Sequence, residues 1–72
     1  MCGIIGYIGT KSCQNIVFNG LKKLEYRGYD SAGISTLENG EILTVKSNGK
    51  LDYLAPLLEE NPSHATIGIG HT

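Results

Sequence analysis

Asn39-Gly40 separates two runs of strand-type residues, Ile34 to Leu37 and Glu41 to Lys46. An Asn-Gly pair in that setting is the strongest short-range sign of a two-residue hairpin, because both turn positions need positive φ. It commits the middle of the chain to antiparallel pairing. Upstream, Cys13, Ile16, Val17, Gly20, Leu21 and Leu24 recur at i, i+3, i+4, i+7, i+8 and i+11, the stripe of an amphipathic helix. Ser12 is placed to cap this helix, and Lys22 and Lys23 suit the negative end of its dipole. Gly20 falls on the stripe, which implies that another backbone packs closely there.

Asn48-Gly49 makes a second turn, and Leu51, Leu54, Ala55 and Leu58 give a second helical stripe. Pro56 removes one amide donor and is expected to kink or shorten that helix. Gly3 to Gly9 reads as an opening strand. Ala65 to Gly70 reads as a closing strand, its Ala-Thr-Ile-Gly-Ile-Gly run expected to be buried on both faces. Residues 25–33 are charged, aromatic and glycine-punctuated, the composition of a site-bearing loop. The order is therefore β-α-β-β-α-β, an α+β arrangement of layers with antiparallel pairing. At 72 residues the chain makes one small domain at most, and one this size buries only roughly 60% of its unfolded surface. Four strands are few for a finished sandwich, so residues 1–72 are expected to form part of a larger domain.

A formal charge of −1 leaves no electrostatic footprint for nucleic acid or an anionic membrane. The apolar stretch Ile4 to Ile8 is short, interrupted by glycine and preceded by no Lys or Arg, so it is neither a signal peptide nor a spanning helix. A cytoplasmic location is the default expectation. Two cysteines, Cys2 and Cys13, are no disulfide framework, and Cys13 lies on the apolar face of the first helix, where free cysteine behaves as a small hydrophobe.

Cys2 directly follows the initiator methionine. Removal of Met1 would place a thiol and a free α-amine on one residue: a nucleophile with its own base. An ordinary thiol is only slightly ionised at neutral pH, whereas an α-amine with a pKa near about 7.7–8.0 has a neutral fraction able to take its proton. With Met1 retained, the nitrogen is an amide and the pair does not exist. Position alone leaves a second reading open, a small apolar cysteine at the start of a buried strand. Gly6-Tyr7-Ile8-Gly9-Thr10-Lys11-Ser12 lacks the glycine directly before lysine that a phosphate loop needs, and Gly68-Ile69-Gly70 lacks the third glycine of a dinucleotide fingerprint. His64 reads as solvated, and His71 lies at a strand end, where catalytic groups often sit. Two isolated histidines make a weak metal case, and nothing calls for a cofactor. Arg27 and Asp30 flank Gly28-Tyr29 either as a loop-shaping ion pair or as substrate contacts.

Met1-Cys2-Gly3-Ile4-Ile5-Gly6-Tyr7-Ile8-Gly9 together with Leu24-Glu25-Tyr26-Arg27-Gly28-Tyr29-Asp30-Ser31-Ala32-Gly33-Ile34 resembles the class II glutamine amidotransferases over the whole chain. The Tyr-Arg-Gly-Tyr-Asp-Ser stretch looks most like the branch that moves glutamine amide nitrogen to fructose 6-phosphate. The phosphoribosylpyrophosphate branch usually carries His-Arg-Gly-Gln-Asp instead. The resemblance implies an Ntn-hydrolase fold, with this chain as the N-terminal part of an αββα four-layer sandwich. It implies Cys2 as the nucleophile, with Arg27 and Gly28 in the loop that fixes its orientation and less certain roles for Tyr29 and Asp30. It also aligns His71 and Thr72 with the start of a His-Thr-Arg-Trp-Ala-Thr-His-Gly substrate-binding segment. The implied partners are L-glutamine and, through sugar-isomerase domains outside these residues, fructose 6-phosphate, in a homo-oligomeric parent. The arginine after Thr72, the Asn-Gly pair of the oxyanion hole and the aspartate that reads the substrate amine are not among the 72 residues, so little activity is expected of this chain alone. Two alternatives stand beside this reading: an amidotransferase of asparagine, glutamate or purine synthesis, and a non-catalytic binding module with a structural Cys2.

Overall fold

The computed structural model describes residues 2–24 and 31–72. The elements are β1 (Ile4–Ile8), α1 (Cys13–Leu24), β2 (Ser31–Glu38), β3 (Glu41–Asn48), α2 (Leu51–Glu60) and β4 (Ile67–His71), in the expected β-α-β-β-α-β order. The strands form one antiparallel sheet, β1-β4-β2-β3, and both helices pack on it. The α+β class is as expected. The described residues supply one helical layer and one sheet layer of the four that the resemblance implies.

The hairpin forms at Asn39-Gly40, with φ of 55° and 79°, and Gly49 turns at φ 85° into α2. Register then fixes which side chains share a face, since directly paired residues point the same way. On the helix side one row runs Ile5, Gly70, Ile34, Val45 and the next Tyr7, Gly68, Thr36, Leu43. Cys13, Val17 and Leu21 of α1 and Leu51, Leu54 and Leu58 of α2 pack on these rows to form the core.

β4 departs from the sequence reading. Gly68 and Gly70 are buried, but Ile67 and Ile69 remain 39% and 59% exposed, so the strand is buried on one face only. The reason is steric. A Cβ on Gly68 would stand 2.7 Å from Cys13 Sγ, and one on Gly70 would stand 2.6 Å from Val17 Cγ1. The glycines thus let α1 lie directly on the sheet, and the isoleucines are turned to the opposite side. β2 also begins earlier than the loop reading placed it, at Ser31, because Ala32 is fully buried on the core side and its backbone pairs with β3. Gly20 accommodates the side chain of Ile5 rather than a neighbouring backbone. α2 runs through Pro56 to Glu60, so the proline does not shorten it. Ser12 Oγ donates 3.0 Å to the carbonyl of Ser63, tying the start of α1 to the segment before β4.

The other face of the sheet carries no helix. Its rows run Ile8, Ile67, Leu37, Ile42, then Gly6, Ile69, Ser35, Thr44, then Ile4, His71, Gly33, Lys46. Six of these are large apolar side chains at least 39% exposed, with Ile4 at 80% and Ile8 at 77%. A contiguous patch of this kind exceeds the scattered apolar exposure normal for a monomer surface.

Candidate functional site

Cys2 sits immediately ahead of β1, an edge strand, and its thiol is exposed and free. The chain is held there by paired backbone hydrogen bonds between Gly3 and Thr72, the Thr72 N–H donating at 3.0 Å and the Gly3 N–H at 3.4 Å. This extends the β1–β4 ladder one residue beyond Ile4↔His71. Strand alternation carried back from Ile4 puts Cys2 on the side of the uncovered face. His71 shares that face, on the diagonal from Cys2, where Cα atoms lie roughly 7–8 Å apart. An exposed thiol at a strand end can attack an electrophile arriving from solvent. Among the described residues Cys2 is exposed rather than buried.

His71 is half-buried between Ile4 and Gly33, with Nε2 3.0 Å from the point a Gly33 Cβ would occupy. Thr72 faces the opposite way. It pairs with Gly3, whose missing Cβ leaves room for Leu24 at the end of α1. Thr72 is 7% exposed, and its Oγ1 is buried with no hydrogen-bond partner among the described residues. A buried hydroxyl without a partner costs about 1–3 kcal/mol. The two adjacent residues thus serve different faces of the sheet.

Cys13 is fully buried against β4, and burial pushes its thiol above the usual cysteine range, a backbone hydrogen bond opposing this more weakly. It is a core residue, and no bond links it to Cys2. His64 is exposed, as expected. Arg27, Gly28, Tyr29 and Asp30 lie outside the described residues. Alternation in β3 places Lys46 with Ile42 and Thr44, on the same side as His71.

No family model matches the chain. Individual relatives match it along its entire length. The chain is 54% identical over all 72 residues to a protein of Synechocystis sp. and 58% identical to one of Nostoc sp.. It is 50% identical to one of Bartonella quintana. The chain spans 11–12% of the length of these relatives. A layered α+β chain opening on Met-Cys-Gly, with its thiol free at the head of an edge strand, is of the glutamine amidotransferase class. All three relatives carry one name, and the chain belongs to their family, the isomerizing glutamine–fructose-6-phosphate aminotransferases.

Proposed function

We propose that Cys2, once Met1 is removed, is the nucleophile of a glutaminase reaction whose ammonia converts fructose 6-phosphate to glucosamine 6-phosphate in the whole protein. The observation that carries this reading is a free, exposed thiol at residue 2 in a chain at least half identical, over every residue, to enzymes of that name. The Cys2 sulfur attacks the carboxamide carbon of glutamine, and its proton passes to the α-amine of the same residue. The amine returns the proton to the leaving nitrogen, the C–N bond breaks, and ammonia departs. Water then adds to the glutamyl thioester, releasing glutamate and restoring the thiol.

In this reading Arg27 and Gly28 orient the nucleophile. His71 binds substrate from the open face it shares with Cys2, and Thr72, which the resemblance also assigns to substrate, faces the helix side and holds Gly3 beside Cys2 through its backbone. The 72 residues alone have little turnover, because the family's oxyanion-hole pair lies outside them and one such donor is worth about 10²–10³ in rate. The chemistry uses no cofactor, and the whole protein is a cytoplasmic homo-oligomer with no nucleic-acid or membrane partner. No helix among the described residues is long and apolar enough to cross a membrane.

A glutamine-mimicking electrophile tests the assignment. One adduct per chain at Cys2, blocked by excess glutamine, supports it; modification that ignores glutamine favours the binding-module reading. Ammonia release by the 72-residue chain should stay near background. Robust turnover abolished by Cys2→Ala would overturn the low-activity claim while keeping the nucleophile.

A further inference from the structure

The last turn of α1 lies over the residue that follows Cys2. Side chains alternate along the opening strand, so Gly3, Ile5 and Tyr7 face the helix layer while Cys2 and Ile4 face the open side. Gly20 and Leu24 are one turn apart on α1, and their sizes are the reverse of those beneath them. The side chain of Ile5 fills the space over Gly20, and the side chain of Leu24 fills the space over Gly3. A Cβ on Gly3 would stand 2.9 Å from Leu24 Cδ1, 3.3 Å from its Cβ and 3.5 Å from its Cγ. Among the described glycines only Gly40 and Gly49 have positive φ, so residue 3 does not need glycine for a left-handed backbone. What residue 3 lacks is a side chain, and Leu24 is the reason.

The two sides of this contact are held unequally. α1 is fixed by Cys13, Val17 and Leu21, each fully buried. Residues 2 and 3 lie at the head of an edge strand, and the Gly3 backbone is tied to Thr72 by two hydrogen bonds of 3.0 and 3.4 Å. Carbon atoms rest about 3.5–4.0 Å apart, so a methyl at residue 3 requires a shift on the order of 0.5–1 Å. Turning Leu24 Cδ1 aside does not clear it, because Leu24 Cβ belongs to the frame of the helix and is itself too close. The less firmly held partner moves, and that is the segment carrying Cys2.

We propose that Leu24 and Gly3 are positioning residues for the Cys2 thiol. Leu24, seated on the bare backbone of residue 3, sets how the start of the chain lies against the sheet, and with it the place from which the sulfur meets a carboxamide carbon. Neither residue touches substrate. The inference rests on the glutaminase reading of Cys2. Reacting atoms have to be held about 3–3.5 Å apart with their orbitals aligned, and a misplacement of about 1 Å lowers the rate by up to about 10²-fold.

Steady-state glutaminase kinetics of the whole protein test the proposal. Gly3→Ala should lower kcat about tenfold or more while KM for glutamine stays within about twofold. Alkylation of Cys2 by iodoacetamide, which meets an exposed thiol from any direction, should keep its rate. Leu24→Ala alone should lower kcat by about threefold or less, since the Thr72 pairing still holds residue 3. Added to Gly3→Ala, it should restore kcat to the Leu24→Ala level, the coupling expected of two groups in contact. Lys23→Ala, at the exposed neighbour on the same turn, should leave kcat unchanged. A folded and active double variant supports the seat even where Gly3→Ala alone fails to fold. A Gly3→Ala enzyme with full kcat, or a double variant as damaged as Gly3→Ala in turnover or in folding, would overturn it. So would an iodoacetamide rate that falls in step with kcat, because the thiol itself would then be altered. Failure of the glutaminase reading shows separately, as a Cys2→Ala enzyme that keeps its turnover.

Discussion

Gly70→Ala is the substitution whose cost follows most directly from the packing. The new methyl would lie 2.6 Å from Val17 Cγ1 and 3.0 Å from Leu21 Cδ1, both on fully buried side chains of α1. Carbon atoms rest about 3.5–4.0 Å apart, so α1 must lift from the sheet by on the order of 1 Å. Overpacking of this kind costs about 1–3 kcal/mol, and alanine returns about 0.5–1 kcal/mol through its smaller backbone entropy. The net loss is about 0–2.5 kcal/mol, centred a little above about 1 kcal/mol, from a total of about 4–11 kcal/mol expected for a domain this size. Gly6 supplies the comparison from the neighbouring strand and the opposite face. A Cβ there meets Ile69 Cγ2 at 3.6 Å and the Gly68 carbonyl oxygen at 3.8 Å, ordinary contact distances. Gly6→Ala should therefore be neutral or stabilise by about 0.5 kcal/mol. Urea unfolding followed by circular dichroism reads both, with a lower midpoint and unchanged slope expected for Gly70→Ala. If Gly70→Ala proves as stable as Gly6→Ala, α1 does not rest on the β4 glycines and the account of the core is wrong.

Three further outcomes follow from the same geometry. In the native chain a maleimide should modify Cys2 quickly and spare Cys13 until urea unfolds the protein, as mass spectrometry of the two cysteine peptides would show. Because burial raises the Cys13 thiol above its ordinary value of 9.0, the folded state holds that proton when the unfolded chain releases it. Stability should be level through neutral pH and fall as pH rises past about 9, and Cys13→Ala should flatten that fall. Asn39 has φ 55°, a conformation that costs alanine about 1–2 kcal/mol, so Asn39→Ala should lower the urea midpoint while Asn39→Gly does not.

The hairpin and both helices were legible because each has a local cause: Asn39-Gly40 fixes the turn, and the two stripes have the helical period. β4 was misread because Ile-Gly-Ile-Gly looks apolar throughout, and periodicity alone does not say that glycine faces the core. Only the contact with Cys13 and Val17 makes glycine the inward residue. The start of β2 was hidden similarly, since Ser31-Ala32-Gly33 continues a loop-like composition. At the proposed site, the place of Cys2 behind Met1 is visible in the sequence, whereas the face it shares with His71 depends on the β1–β4 register.

The central claim is that Cys2 acts as an N-terminal nucleophile, and the first residue of the mature chain tests it most directly. Intact mass with N-terminal sequencing of the protein from its native cell should find Met1 gone and Cys2 first, with a free α-amine. A chain that keeps Met1, or whose Cys2 nitrogen is acylated, has no base beside its thiol, and that result would contradict the account.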